Sequence, residues 1–254
     1  MRLTRLLFLT IASTALPLLP TATCADQIRV AVASNFAETF KTIAARFEAS
    51  SGHRVILSTG STGKQYAQIR HGAPFDLFFA ADSERPALLE AQGHALPGSR
   101  FTYALGKLVL WSPKPGYIDP DGAVLSDPQI RHLAVANDRL APYGRAATEV
   151  LQARGLWNAL RHRLVRGENI GQTFQFVSSG SVALGFVACS QVQRPGTAIQ
   201  GSLWRVPQSL YTPIKQQAVL LRESKAARAL LAFMQSETSR QTLRDACYDT
   251  PDVD

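Results

Sequence analysis

The sequence lacks the motifs on which most metal-dependent and nucleophilic enzymes depend. Its five histidines are dispersed, and neither His-Glu-x-x-His nor Cys-x-x-Cys occurs, so no zinc centre is predicted. A Gly-x-Ser-x-Gly nucleophile elbow is also missing. Residues 60–64 look like a phosphate loop, but Ser58 stands where that loop requires glycine, and Gln65 stands where it requires Ser or Thr. These absences argue against catalytic residues and against a bound metal ion.

A basic run is missing as well, although the chain is basic overall. The formal net charge is +8, from 27 Lys and Arg against 19 Asp and Glu in 254 residues. The cations are scattered and are not interleaved with aromatic residues, so the pattern predicts no nucleic-acid partner. A diffuse positive field of this kind would steer small anions modestly.

The N-terminal 25 residues have the layout of a secretory signal peptide. Arg2 and Arg5 precede the largely apolar residues 6–19, and small residues follow up to Ala25. This pattern predicts cleavage after Ala25 and a soluble protein in the periplasm.

Two alternatives to cleavage remain open at this segment. The apolar stretch is short and interrupted for a membrane anchor, and no later segment is apolar enough to cross a bilayer. Cys24 allows a lipoprotein, although Thr21 and Thr23 stand where a lipobox usually has Leu and Gly or Ala.

Short apolar runs alternate with helical patterns along the rest of the chain. This alternation predicts an α/β protein with mainly parallel sheets. A long strand is expected over residues 101–111, with Gly106 inside it, between two such α/β series. The predicted strands are 28–33, 54–58, 75–80, 133–136, 164–165, 183–188 and 217–221, and the predicted helices include 62–71, 86–92, 144–154, 171–178, 225–235 and 238–246. Two series with a boundary strand between them indicate two lobes.

Four junctions repeat one chemical arrangement, in which a strand ends, a small polar residue or glycine follows, and a helix begins. They are Ser34-Asn35, Ser61-Thr62-Gly63, Pro142-Tyr143-Gly144 and Asn169-Ile170-Gly171. A helix N-terminus presents free N–H groups and partial positive charge, which suits an anion. Any one of these polar residues is more often a simple helix cap. Ligands of open α/β sheets, however, lie beyond the carboxyl ends of the strands, so four junctions in two lobes could meet at one cleft.

The four junctions contain no carboxylate. Neutral donors suit a fully deprotonated dianion such as sulfate, molybdate or tungstate, whereas hydrogen phosphate also needs an acceptor for its proton. Asp138 and Glu168 flank two of the junctions, and we assign them no role from the sequence.

Five segments resemble the periplasmic molybdate-binding proteins of ABC importers. They are residues 32–36, 59–64, 72–78, 141–144 and 167–173. The Gly-Ala-Pro-x-Asp-Leu-Phe segment at 72–78 is quite specific to the molybdate and related oxyanion branch. The resemblance runs in order through nearly the whole chain beyond the predicted signal peptide.

This resemblance implies a two-lobed, type II periplasmic-binding-protein-like α/β fold with two crossovers between the lobes. Beyond the signal peptide at 1–25, which the N-terminal pattern predicts, it places the first lobe at 26–105 plus 212–254 and the second lobe at 106–211. It also implies a monomer without a cofactor, which holds molybdate or tungstate and delivers it to the membrane permease subunits of an ABC importer.

The resemblance implies a binding set of neutral donors. Ser34 and Ser61 would supply hydroxyl and amide donors, Asn35 an amide, and Tyr143 and Ile170 backbone N–H groups. Some members of the family also use a tyrosine hydroxyl at the position of Ala188. That contact is therefore not expected in this chain, which resembles another subgroup.

Two other functions stay open from the sequence. One is a receptor for sulfate or another tetrahedral oxyanion. The other is an exported hydrolase with Ser34 or Ser61 as nucleophile, which would need a base that no motif supplies.

Cys189 and Cys247 are the two cysteines left after the predicted cleavage. Because the predicted compartment is oxidising, we expect them to form a disulfide. The alternative is a pair of separate buried thiols, since a sequence does not show the geometry that a bridge requires.

Overall fold

The fold was analysed in a computed structural model, which describes residues 26–193 and 196–251. The predicted signal peptide at 1–25 lies outside these residues. No helix in the described part of the chain is long and apolar enough to span a membrane. The strands are β1 (Gln27–Ala33), β2 (Arg54–Gly60), β3 (Leu77–Phe79), β4 (Phe101–Gly106), β5 (Leu108–Ser112), β6 (Leu133–Ala136), β7 (Leu164–Gly167), β8 (Gly185–Ala188), β9 (Ser202–Arg205) and β10 (Ile214–Leu220). The helices are α1 (Ala37–Ser51), α2 (Thr62–Arg70), α3 (Glu84–Ala91), α4 (Pro142–Ala153), α5 (Trp157–Leu160), α6 (Ile170–Ser178), α7 (Cys189–Val192), α8 (Lys225–Met234) and α9 (Glu237–Asp245).

The strands form two five-stranded sheets, each at the centre of one lobe. The first sheet has the order β2-β1-β3-β10-β4, and the second has the order β7-β6-β8-β5-β9. In the first lobe, α1 packs its apolar face on the sheet, because Phe36, Phe40, Ile43 and Phe47 recur at helical spacing and are all buried. Gly52 ends this helix in the left-handed conformation expected of a C-terminal glycine.

Both sheets are mixed, so the expectation of mainly parallel sheets was wrong. In the first sheet β1 runs parallel to β2 and β3, whereas β10 runs antiparallel to β3 and β4. In the second sheet β6 runs parallel to β7 and β8, whereas β5 runs antiparallel to β8 and β9. Parallel neighbours need a long connection, usually a helix. The antiparallel pairings all involve β5 or β10, the strands that enter each sheet from the other lobe.

The strand predicted over residues 101–111 is in fact two strands in two sheets. β4 ends at Gly106 in the first sheet, and β5 begins at Leu108 in the second, with only Lys107 between them. A Cβ atom on Gly106 would come within 2.6 Å of Gln216 Nε2, so glycine permits the close passage at this crossover.

The second crossover joins β9 to β10 and returns the chain to the first sheet. β9 is a short strand that the sequence pattern did not reveal, and β10 begins three residues earlier than the predicted 217–221. With β4–β5, this makes two crossovers between the lobes, as the resemblance implied.

A disulfide adds a third connection between the two lobes. Cys189 follows β8 in the second lobe, and Cys247 follows α9, which packs on α1 of the first lobe. The two residues are 58 positions apart, and their Cα atoms lie 5.8 Å from each other. Just beyond the bridge, Asp249 pairs with Leu105 at the end of β4.

Candidate functional site

The four strand-to-helix junctions meet between the lobes and close a ring of hydrogen bonds. Each junction follows the carboxyl end of a strand: β1 and β2 in the first lobe, β6 and β7 in the second. Two bonds of the ring lie within a lobe, and two cross between the lobes. The bonds are Ser34 N to Gly60 O (3.0 Å), Gly63 N to Leu140 O (2.9 Å), Asn137 N to Gly167 O (2.8 Å) and Gly171 N to Ser34 Oγ (3.2 Å).

Glycine stands at both places where the ring crosses between the lobes. A Cβ atom on Gly63 would lie 3.1 Å from Leu140 Cα, and one on Gly171 would lie 3.3 Å from Ser34 Cβ. These separations are tighter than ordinary contacts, so the absence of a side chain lets the two lobes approach closely. The structure therefore shows the cleft with its lobes in contact.

Four of the five predicted binding residues present backbone amides without a protein acceptor. The N–H groups of Asn35, Ser61, Tyr143 and Ile170 donate to no acceptor in residues 26–193 and 196–251. Each of these residues is less than 5% exposed. A backbone N–H in a buried position is nearly always satisfied. The ring therefore offers amide donors from both lobes to an anion.

The fifth residue, Ser34, has a backbone amide that is already paired, contrary to the expectation that this amide binds the ion. Its amide already donates to the carbonyl of Gly60 across the β1–β2 junction, so the hydroxyl is the donor that remains. Ser34 Oγ accepts the amide of Gly171, which leaves the hydroxyl proton free to donate elsewhere. Ser61 Oγ likewise accepts the amide of Lys64 (3.4 Å) as the N-cap of α2. Both serines thus combine a capping or bridging role with an available O–H.

Helix N-termini add partial positive charge to the ring. α2 begins behind Ser61, and α6 begins behind Asn169, whose side chain accepts the amide of Gln172 (3.0 Å). α4 begins at Pro142, two residues before the expected 144, because proline fits the first helical position without losing a hydrogen bond. Three helices therefore direct their positive ends at the junctions.

The side chain of Asn35 belongs to a buried polar network that extends beyond its own loop. Asn35 Nδ2 donates to Gln216 Oε1 (2.9 Å) and to Tyr248 Oη (3.1 Å). Its Oδ1 atom is buried without a hydrogen-bond partner in the described chain. Gln216 Oε1 also accepts from Tyr103 Oη (3.0 Å). The Asn35 loop is consequently tied to β10 and to the C-terminal segment.

Tyr143 joins the same network from the second lobe. Its phenol oxygen accepts from Gln216 Nε2 (3.1 Å), and burial raises the pKa of Tyr143 well above its usual value, so the phenol stays neutral. Gln216 was missed from the sequence, because Lys215, Gln216 and Gln217 precede the apolar run that predicted the strand at 217–221. It is 0% exposed and connects Tyr143 to the first lobe.

An ion pair crosses between the lobes beside the ring. Lys64 Nζ lies 3.1 Å from Glu168 Oε1, and both side chains are about half exposed. Neither residue was predicted from the sequence to belong to the site. No Asp or Glu belongs to the four junctions, so the ring itself remains a set of neutral donors.

Among the residues that the structure describes, neither serine hydroxyl has the partner that a nucleophile needs. Within the described residues, Ser34 and Ser61 form no hydrogen bond to a histidine or a carboxylate. The same part of the chain holds no group of three or more His, Cys, Asp or Glu residues that could bind a metal ion. The arrangement can bind an anion, but it offers no activated nucleophile.

Comparisons with known proteins agree with this geometry. Residues 28–249 match the family model of the bacterial extracellular solute-binding proteins. The chain is 49% identical to the molybdate-binding protein ModA of Azotobacter vinelandii over 91% of this chain and 93% of that protein. It is 45% identical to the molybdate-binding protein ModA of Rhodobacter capsulatus, over 89% of each. The matching family model and both relatives are thus described as binding proteins.

Solved structures match over the same range. The periplasmic molybdate-binding protein of Azotobacter vinelandii superposes with a TM-score of 0.86 and 42% identity, covering 89% of this chain and all of that one. The sulfate-binding protein SubI of Mycobacterium tuberculosis has a TM-score of 0.72 at 16% identity, covering 89% of this chain and 88% of that one, which shows a shared fold alone.

Proposed function

The chain belongs to the bacterial extracellular solute-binding proteins, and we propose that it captures molybdate or tungstate and delivers the ion to the permease of an ABC importer. The observation that carries this proposal is the ring of unpaired donors between the lobes, which contains no carboxylate. Similarity to molybdate-binding proteins at 49% and 45% identity supports the choice of ion.

The proposed donor set is shared by the two lobes. It consists of the hydroxyls of Ser34 and Ser61 and the amides of Asn35, Ser61, Tyr143 and Ile170. Hydrogen bonds to a charged acceptor contribute about 1.5–3 kcal/mol each, so several such donors can hold a dianion without a counter-charge. Because each lobe supplies only part of the set, we expect the lobes to close on the ion.

Selectivity should follow from charge and from size. Near neutral pH, phosphate keeps a proton that wants an acceptor, and a donor-only site leaves groups unpaired at about 1–3 kcal/mol each. Sulfate has the right charge but is smaller, so donors spaced for molybdate cannot all reach it without strain. Tungstate nearly matches molybdate in size and should bind similarly.

Competition calorimetry on ligand-stripped protein tests the proposal directly. The protein is titrated with molybdate, tungstate, sulfate and phosphate at one fixed pH. We expect molybdate and tungstate to bind with similar affinity and to exclude both other ions. Sulfate binding as tight as molybdate binding would replace the proposal by a sulfate receptor.

A hydrolase remains the alternative from a different class. Ser34 and Ser61 both accept backbone amides, and neither bonds to a base in the described residues. We expect no turnover with a panel of carboxylic and phosphate esters. Turnover that Ser34→Ala or Ser61→Ala abolishes would establish an enzyme instead.

The organisation of the exported protein is part of the same proposal. We propose a signal peptide at residues 1–25, a first lobe at 26–105 plus 212–254 and a second lobe at 106–211. We also propose a monomer in the periplasm. Intact-mass analysis of exported protein should find a chain that begins at Asp26, and light scattering should give the mass of one chain. A lipid on Cys24 or a retained N-terminus would contradict the export proposal.

A further inference from the structure

We propose that Tyr248 is a positioning residue for the binding loop, and that the disulfide between Cys189 and Cys247 holds it in place. Tyr248 lies behind the loop, so it would act on the ion only through the Asn35 peptide. This inference rests on the proposed function, since it concerns how one donor of that site is oriented.

Two hydroxyls from different lobes converge on the carbonyl of Asn35. Tyr248 Oη lies 2.9 Å from Asn35 O, and Ser190 Oγ lies 3.0 Å from the same atom. The two hydroxyl oxygens are themselves 2.9 Å apart. A carbonyl has two lone pairs, so both hydroxyls can donate to it while Tyr248 Oη accepts from Asn35 Nδ2.

These contacts fix the plane of the Asn35–Phe36 peptide and the side chain of Asn35, and thereby the orientation of the Asn35 Cα atom. The carbonyl and the side-chain amide of Asn35 are held by Tyr248 at once, which leaves little freedom for the residue to rotate. Its N–H, which belongs to the preceding peptide, is one of the unpaired donors of the ring, and the position of that nitrogen is set by the Asn35 Cα atom to which it is bonded. Tyr248 is 2% exposed and Asn35 is 4% exposed, so water does not compete strongly for these bonds.

The disulfide joins the immediate neighbours of both hydroxyl residues. Cys189 precedes Ser190, and Cys247 precedes Tyr248. Cys247 has φ +67°, the left-handed region that favours glycine, and it is the one non-glycine residue with positive φ among those described. Such a conformation persists where the surrounding structure holds it. Here the bridge holds one side, and the mutual Leu105–Asp249 backbone bonds (2.8 and 3.1 Å) hold the other.

The position of the bridge also bears on the opening of the lobes. With the two crossovers it gives three covalent connections, and any rotation that opens the cleft must pivot near all three. The contacts of Tyr248 and Ser190 with Asn35 lie next to this pivot. They should therefore persist in the open state and present the Asn35 amide already oriented, which lowers the entropic cost of binding.

Removal of the Tyr248 hydroxyl group alone tests the inference. In Tyr248→Phe we expect the molybdate Kd to rise about two- to tenfold, the value of one or two hydrogen bonds. The matched control is Tyr66→Phe, whose hydroxyl bonds to Gln92 on the exposed surface (3.2 Å) and whose loss should leave the Kd unchanged. All titrations are made on folded protein, well below the melting temperature of each variant.

An amide spectrum separates positioning from a general loss of stability. In the molybdate-bound protein, Tyr248→Phe should shift the ¹H–¹⁵N resonance of Asn35 and leave that of Ile170, in the other lobe, in place. A uniform change across the ring, or none at Asn35, would overturn the positioning role. Ser190→Ala should shift the same resonance and provides a second variant if Tyr248→Phe folds poorly.

The role of the disulfide is tested by whether its removal and the removal of the Tyr248 hydroxyl have coupled effects on the molybdate Kd. If the disulfide acts through Tyr248, Cys189→Ser/Cys247→Ser should raise the Kd, and adding Tyr248→Phe to that pair should change it less than it does in the bridged protein. Independent effects would refute the link between bridge and tyrosine. If the unmodified protein bound no molybdate, the proposed function would fail; if it bound and folded Tyr248→Phe matched it, only the positioning role would fail.

Discussion

The two lobes offer the same kind of donor to the cleft by different means. The first lobe combines backbone amides with the hydroxyls of Ser34 and Ser61. The second lobe offers only the backbone amides of Tyr143 and Ile170. Both side chains are buried in the core of that lobe, and the phenol of Tyr143 also bonds to Gln216 on β10. Substitutions should therefore affect the lobes unequally. In the first lobe the identity of the side chain matters, whereas in the second the path of the backbone matters.

The largest effect on binding is expected from the first-lobe hydroxyls. Ser34→Ala and Ser61→Ala should each weaken molybdate binding about ten- to hundredfold, because each removes a hydrogen bond of about 1.5–3 kcal/mol to a charged acceptor. Calorimetry measures the change. Ser178→Ala, in which a surface hydroxyl bonds to the Gln175 carbonyl (3.3 Å), serves as the control. Unchanged affinity in both variants would show that the serine side chains of the first lobe do not contribute to binding.

A backbone change in the second lobe should come next. A Cβ atom on Gly144 would lie 2.7 Å from the carbonyl carbon of Ala136 and 2.9 Å from that of Asn137. Since these are main-chain atoms, Gly144→Ala should displace the start of α4 and cost about 1–3 kcal/mol of unfolding free energy. The adjacent Tyr143 amide should move with it, and molybdate binding should weaken by about tenfold, as for one lost bond.

Chemical denaturation and calorimetry measure the two effects of Gly144→Ala. Gly60→Ala in the first lobe is the matched control, because its new Cβ would lie 3.6 Å from Gln65 Cγ, an ordinary contact. Equal losses in the two variants would show that the second lobe has no special need for its backbone path.

The ion pair between the lobes should have a smaller effect. Lys64→Ala should weaken molybdate binding about one-and-a-half- to fivefold, since half-exposed pairs contribute about 0.2–1 kcal/mol. The loss should shrink as salt concentration rises. Calorimetry with Glu168→Gln completes a double-mutant cycle. A loss from Lys64→Ala greater than that from either serine variant would contradict the neutral-donor site.

The smallest effect on binding is expected from a change in the side chain of Ile170, in the second lobe. Ile170→Val should cost about 0.5–1.5 kcal/mol of unfolding free energy, because Ile170 packs in the lobe core. The Ile170 amide keeps its place and its hydrogen bond to the ion. The molybdate Kd should therefore change less than about twofold, which is below the effect of losing one hydrogen bond. A much larger loss of affinity would mean that the side chain itself helps to shape the site.

The sequence by itself determined the local features of this protein. Periodicity placed most helices and strands, and β6 has the predicted bounds 133–136. Ser61 and Asn169 are the helix caps that their positions indicated. These features follow from neighbours within a few residues along the chain, so they can be recognised without knowledge of the fold.

Only the tertiary structure decided how distant segments meet. It divided residues 101–111 between two sheets, because strand periodicity is identical whichever sheet a strand joins. It assigned the Ser34 amide to Gly60, and it brought Gln216, Tyr248 and the Lys64–Glu168 pair to the site. Their partners lie tens to hundreds of residues away, and the Lys64–Glu168 contact depends in addition on the approach of the two lobes. Hydrogen bonding and burial at a lobe interface depend on distance in space, for which sequence separation carries no information.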